Sequence, residues 1–150
     1  MASRGFEFAY MLDGSNATPV IRDFPVDGTG AYVVGDLTLV NSDGQLARVT
    51  GTTTEVTAII QEARASGSDG DLLKAAVITV HQVWRCSMDA ASTTAKEFYD
   101  RLIDTVDHNT IDADDLAAGR MMLVGTDTDN DGNVLAYVVF TVTSAGNALS

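Results

Sequence analysis

Apolar residues along most of this chain recur at every second position, the period of a strand with one buried face. In "PVIRDFPV", Val20, Arg22, Phe24 and Val26 share one side, and Ile21 and Asp23 the other. Pro25 has no N–H to give to a ladder, which confines this piece to a sheet edge or a short extended stretch. After the break "GTG" comes "AYVVGDLTLV", where Leu37 and Leu39 alternate with Thr38 and Val40. "NSDG" then supplies a turn before Leu46 and Arg48 lead back, because Asp43 and Gly44 tolerate the positive φ of tight turns. "TEVTAIIQEA" fits either strand or helix by period, and β-branched Thr54, Val56, Thr57, Ile59 and Ile60 favour strand. "RASGSDGD" follows as a polar, glycine-rich loop with an exposed tip. In "LLKAAVITVHQVWRC" the alternation runs from Val77 to Cys86, which predicts one long strand, with His81 among apolar neighbours as a structural histidine.

One stretch changes period. In "STTAKEFYDRLIDTVD", Phe98, Leu102, Ile103 and Val106 form a stripe that predicts an amphipathic helix near residues 93–106. Ser92 or Thr93 would cap it, with Glu97 within the range of a capping box. "HNTIDADDLAAG" adds a helical turn capped by Asp112 and stopped by Gly119. The last segment reads strand, turn, strand: "RMMLVG", "TDTDNDGN", "VLAYVVFTVT". With roughly seven strands and one helix, the fold class is mainly β: a small β-barrel or β-sandwich with one inserted helix. Residues 1–18 read as an N-terminal arm, 19–142 as a single β-rich domain with a helical insertion over 90–119, and 143–150 as a polar tail. In the arm, Phe6, Phe8, Tyr10 and Met11 form an apolar cluster, a candidate partner-binding anchor or a piece of the domain's own core.

Charge narrows the classes of partner. With 21 acids against 9 bases the formal charge is −12. Phosphate binding needs Lys and Arg to displace counterions, so direct nucleic-acid binding is disfavoured, and anionic membranes likewise. Ten of the acids lie between Glu97 and Asp131, opposed only by Arg101 and Arg120, and such a run is ordinarily a solvated face. No segment approaches the about 18 apolar residues of a membrane helix, and "MASRGFEFAYMLDGS" lacks the apolar core of a secretory leader. A soluble protein made in a cytoplasm is expected. Cys86 is the only cysteine, which removes any intramolecular disulfide or thiolate cluster, and its strand setting suits a small buried thiol.

Catalytic chemistry finds no constellation. Neither His81 nor His108 neighbours a nucleophile in a recognised motif, and "GTGAYVVG" lacks the spacing and lysine of a phosphate loop. A non-enzyme is expected. The sharper question is "DTDNDGN", where Asp127, Asp129, Asp131 and Gly132 match the start of an EF-hand calcium loop. Position 12 of that loop, a bidentate glutamate, is Val138 here, and the flanks are β-like. A hairpin turn explains the same residues without a metal, so no cofactor or metal is expected.

The string "GDLTLVNSDGQLARVTGTTTEVTAIIQEARASG" resembles a recurring pattern in capsid decoration (cement, head-stabilising) proteins of tailed phages. "VWRCSMDA", "LIDTVDHNTIDADDL" and "GRMMLVGTDTDNDGNVLAYVVF" look like the second half of such proteins, so the likeness spans residues 19–142. Asp36, Gly44 and Gly132 match as turn and strand-edge positions, while Ala58 and Ile59 stand where the pattern has glycine. The resemblance implies a structural virion protein, commonly a trimer. It would bind the major capsid protein on the outer shell at inter-capsomer junctions and stabilise the head against internal DNA pressure. A β-domain on a virion surface that binds carbohydrate or a receptor, assisted by calcium at "DTDNDGN", is the alternative.

Overall fold

The computed structural model describes residues 5–49, 56–88, 102–107, 110–112 and 121–140. Strands β1 (Glu7–Met11), β7 (Gln82–Ser87), β8 (Leu102–Asp107), β9 (Thr110–Asp112), β10 (Met121–Thr128) and β11 (Val134–Phe140) form an antiparallel sheet in the order β1-β7-β11-β10-β8-β9. A second antiparallel sheet holds β2 (Ile21–Pro25), β3 (Leu37–Val40), β4 (Leu46–Arg48), β5 (Ala58–Ile60) and β6 (Leu72–Val77), in the order β2-β6-β5-β3-β4.

The main core draws on both sheets. Trp84, Cys86, Ala136, Val138 and Phe140 of the first pack in one cluster with Leu37, Ile59 and Ala76 of the second. These are alternate positions along their strands, so the period of two in the sequence becomes the inner face of each sheet. Trp84 and Phe140 are among the largest fully buried side chains. Truncating Trp84 to alanine would cost about 3–5 kcal/mol.

The five-stranded sheet also buries its other face, over a smaller cluster of Val26, Tyr32, Leu46, Ala58, Ile60, Leu73 and Ala75. It curls until Val26, just beyond β2, bridges Leu46 of β4, with Asp27 N–H donating to the Leu46 carbonyl at 2.8 Å. This single bridge does not close a barrel. Tyr32 plugs the gap: its hydroxyl donates to the Asp27 carbonyl at 2.7 Å, and Arg48 and Arg64 lie 5.0 and 5.3 Å from its ring centroid. Burial first, and the nearby Asp27 charge second, raise the phenol pKa above its usual value. Asp36, fully buried, accepts from Val33 N–H at 3.0 Å and from Arg48 Nε at 3.1 Å. The aspartate of "GDLT" therefore fixes both the loop before β3 and the arginine on β4. Its neighbour Gly35 has φ 98°, and a Cβ there would lie 2.8 Å from the Gly5 backbone, so no side chain fits.

Several sequence expectations change. Residues 102–106, read as the second half of the 93–106 helix, lie in strand β8, which pairs with β9 and β10. Ile103, Thr105 and Val106 are β-branched, and the pairing of Ile103 with Met121 and of Thr105 with Ile111 outweighs a stripe that fits both periods. Asp112, read as a helix cap inside the 90–119 insertion, ends β9. Residues 93–101 and 113–120 lie outside the described residues, and no helix occurs among those described. The long strand through His81 is two strands in different sheets, β6 and β7, joined by a turn at Thr79–Gln82. The buried Gln82 amide holds that turn, accepting from Thr79 N–H at 3.0 Å and from Trp84 Nε1 at 3.1 Å. His81 sits exposed on it rather than among apolar neighbours. Part of the 1–18 arm is strand β1, paired along β7.

The predicted "NSDG" turn joins β3 to β4. Asn41 N–H donates to the Gln45 carbonyl at 2.8 Å, Gly44 N–H donates to the Asn41 carbonyl at 3.1 Å, and Gly44 takes φ 77°. The Asn41 side-chain oxygen accepts from Asp43 N–H at 2.9 Å and Gln45 N–H at 3.0 Å.

Candidate functional site: a groove and an open edge

The outer face of the six-stranded sheet carries a shallow groove of about 380 Å³. Its described walls are Phe8, Ala9, Tyr10, Arg85, Gly125 and Tyr137. Trp84 and Cys86 point to the core, so Arg85 between them points out. Glu7, opposite Arg85 in the ladder, holds its guanidinium at 3.3 Å. Hydrogen bonding to Tyr137 first, and to Glu7 second, raises the Arg85 pKa above its ordinary value, so it stays a cation. A bulge at Ala9 shifts the register of β1, which pairs Tyr10 with Val83 and brings its ring to 6.4 Å from that of Tyr137, tilted 35°. A second bulge at Val124 precedes Gly125 on β10. Gly125 has no positive φ, and a Cβ placed on it would meet no atom of the described residues within 4 Å. Its missing side chain leaves the groove floor open. Elsewhere on this face Val83 and Val139 are fully buried.

Arg85 also lines an adjoining polar hollow of about 320 Å³ under the β10–β11 turn, beside Asp127, Asp129 and Asp131. That turn repeats the β3–β4 turn bond for bond. Asp129 N–H donates to the Asn133 carbonyl at 3.0 Å, Gly132 N–H donates to the Asp129 carbonyl at 3.0 Å, and Gly132 takes φ 84°. One Asp129 carboxylate oxygen accepts from Asp131 and Asn133 N–H, both at 2.9 Å, and the other from the Asn133 amide at 3.0 Å. Asp127 accepts from Thr128 N–H at 2.8 Å. The Asp129 carboxylate, third position of the calcium-like motif, thus accepts from two backbone N–H groups and one side-chain amide within its own turn. No group of three or more His, Cys, Asp or Glu placed to hold a metal occurs among the described residues.

The four residues read as a partner anchor separate. Phe6 is buried, its ring 5.5 Å from Phe140, and Phe8 packs edge-on to Trp84 at 5.6 Å. Met11 is half-buried at the end of β1, paired with Gln82. Tyr10, 49% exposed, is the one of the four that offers a broad open surface. Arg85, Gly125 and Tyr137 escaped sequence reasoning because only tertiary pairing assembles them. A glycine within a β-like run, the mark of a bulge or of close ligand approach, was the available signal.

A second surface lies on β2, at the edge of its sheet. Val77 N–H donates to the Val20 carbonyl at 2.8 Å. In an antiparallel ladder, Val20, Arg22 and Phe24 then bond to β6, while Ile21 and Asp23 turn their N–H and C=O groups outward. Val20 and Ile21 are 56% and 49% exposed, and Leu72, across from Pro25, is 62% exposed. Pro25 sits where the sequence places it, on an edge strand. No helix among the described residues is long and apolar enough to cross a membrane. No family model, curated protein or solved structure matches the chain.

Proposed function

We propose that the protein is a structural virion component, a decoration protein of a tailed phage. In this reading it binds the outer surface of the major capsid shell at inter-capsomer junctions as a trimer and stabilises the head. The observation that carries this reading is the β2 edge. Open backbone groups at Ile21 and Asp23 lie beside exposed Val20 and Ile21, the combination on which a strand of a neighbouring protein can be added. A two-sheet β fold supports it, as does the resemblance of residues 19–142 to such proteins. The net charge of −12 would keep free copies apart before assembly and leave the particle surface hydrated.

The test is addition of purified protein to undecorated capsids, read by a density map and by the temperature at which the particles rupture. Copies bound at inter-capsomer junctions and a raised rupture temperature are expected. Ile21→Lys, a change on an exposed edge, should abolish addition while the isolated chain melts as before. Capsids that ignore the protein, or that take up Ile21→Lys equally well, would sink the proposal.

A further inference from the structure

We infer that the groove over Gly125 binds a neutral saccharide, a property separate from capsid binding and resting on different residues. Charge decides the ligand class first. An anionic ligand would meet the Asp127 and Asp131 carboxylates on the adjoining rim, in a chain of net charge −12. A cationic ligand would meet Arg85 in the groove proper, whose described walls carry no carboxylate to hold it. An uncharged polyol meets neither repulsion and can use both signs, since the guanidinium donates to its hydroxyls and the carboxylates accept from them.

Shape and apolar surface agree with this choice. Tyr10 exposes its ring beside that of Tyr137, giving the C–H face of a sugar ring an aromatic wall, with the exposed Tyr10 hydroxyl as a polar handle. The volume of about 380 Å³ falls within the ordinary range of small-molecule sites, about 300–1,000 Å³. Gly125 supplies the third argument. A glycine inside a strand costs about 0.5–1 kcal/mol relative to alanine. Among the described residues neither φ nor a close neighbour demands one. What it contributes is open space beside Tyr10, Arg85 and Tyr137, where a ligand can approach the backbone.

The experiment uses the full chain on a printed array of neutral and sialylated oligosaccharides, with a hexa-arginine peptide as the cationic control. Retained neutral glycans are then titrated against isotope-labelled protein. Expected are retention of neutral glycans, amide shifts at Tyr10, Gly125 and Tyr137, and a loss in affinity of about tenfold or more in Gly125→Leu. Tyr10→Ala, at an exposed position, should weaken binding similarly and keeps the test valid if Gly125→Leu does not fold. The inference is overturned if no neutral glycan is retained, if only sialylated glycans or hexa-arginine bind, or if both variants bind like the parent. Capsid addition by Gly125→Leu is expected to match the parent, so failure here and failure of the decoration reading are told apart.

Discussion

The β3–β4 and β10–β11 turns are the same device built from "NSDGQ" and "DNDGN". Each has a first residue whose side-chain oxygen takes two backbone N–H groups, a left-handed glycine, and a bond from the first N–H to the fifth carbonyl. They differ at the head, a carboxamide in Asn41 and a carboxylate in Asp129. What the two oxygens accept is alike, so the turn needs an acceptor at that position and not a charge. The resemblance of "DTDNDGN" to a calcium loop is thereby explained by turn geometry, because Asp129 does there what Asn41 does with no charge at all.

The harshest test of this equivalence is the glycines. Gly44→Ala and Gly132→Ala, both at positive φ with no steric neighbour among the described residues, should each cost about 1–2 kcal/mol in denaturant unfolding. Unequal costs would show that the turns differ in strain. Next are Asn41→Ala and Asp129→Ala, expected at about 1 kcal/mol each from lost backbone acceptors. A much larger loss at Asp129 would give its charge a role that the geometry does not. Smaller still is the exchange Asn41→Asp with Asp129→Asn, expected to leave stability within about 0.5 kcal/mol of the parent. Least of all, millimolar calcium should leave the melting temperature unmoved in both parent and Asp129→Asn. A calcium-dependent rise in the parent that Asp129→Asn removes would restore the metal reading.

Both turns were legible because glycine, aspartate and asparagine announce them locally. The β6–β7 turn was not. It contains no glycine or proline, and the alternation of apolar residues continues through Thr79–His81 as if the strand went on. What makes it a turn is the side chain of Gln82, three residues from the N–H it caps, together with a change of sheet that no local period records. Leu102–Asp107 failed for the opposite reason. Its spacing of Leu102, Ile103 and Val106 fits a helical stripe, but β8 gains partners on both sides, and ladder pairing decides between two allowed periods. The inner face of the main core followed from alternation, with Trp84 and Cys86 where that period puts them. The groove did not, since Tyr10, Arg85, Gly125 and Tyr137 come from four strands and share no motif.

Cys86 gives the molecule its own clock. The only thiol of the chain lies fully buried on β7, a strand enclosed between β1 and β11. Its side chain faces the core cluster between the two sheets, so a thiol reagent reaches it only when that packing opens. The rate of labelling therefore reports how often the core between the sheets opens, without an introduced probe. If the protein decorates a particle as proposed, the same reaction followed on the free and the bound protein would read how far assembly holds that core shut.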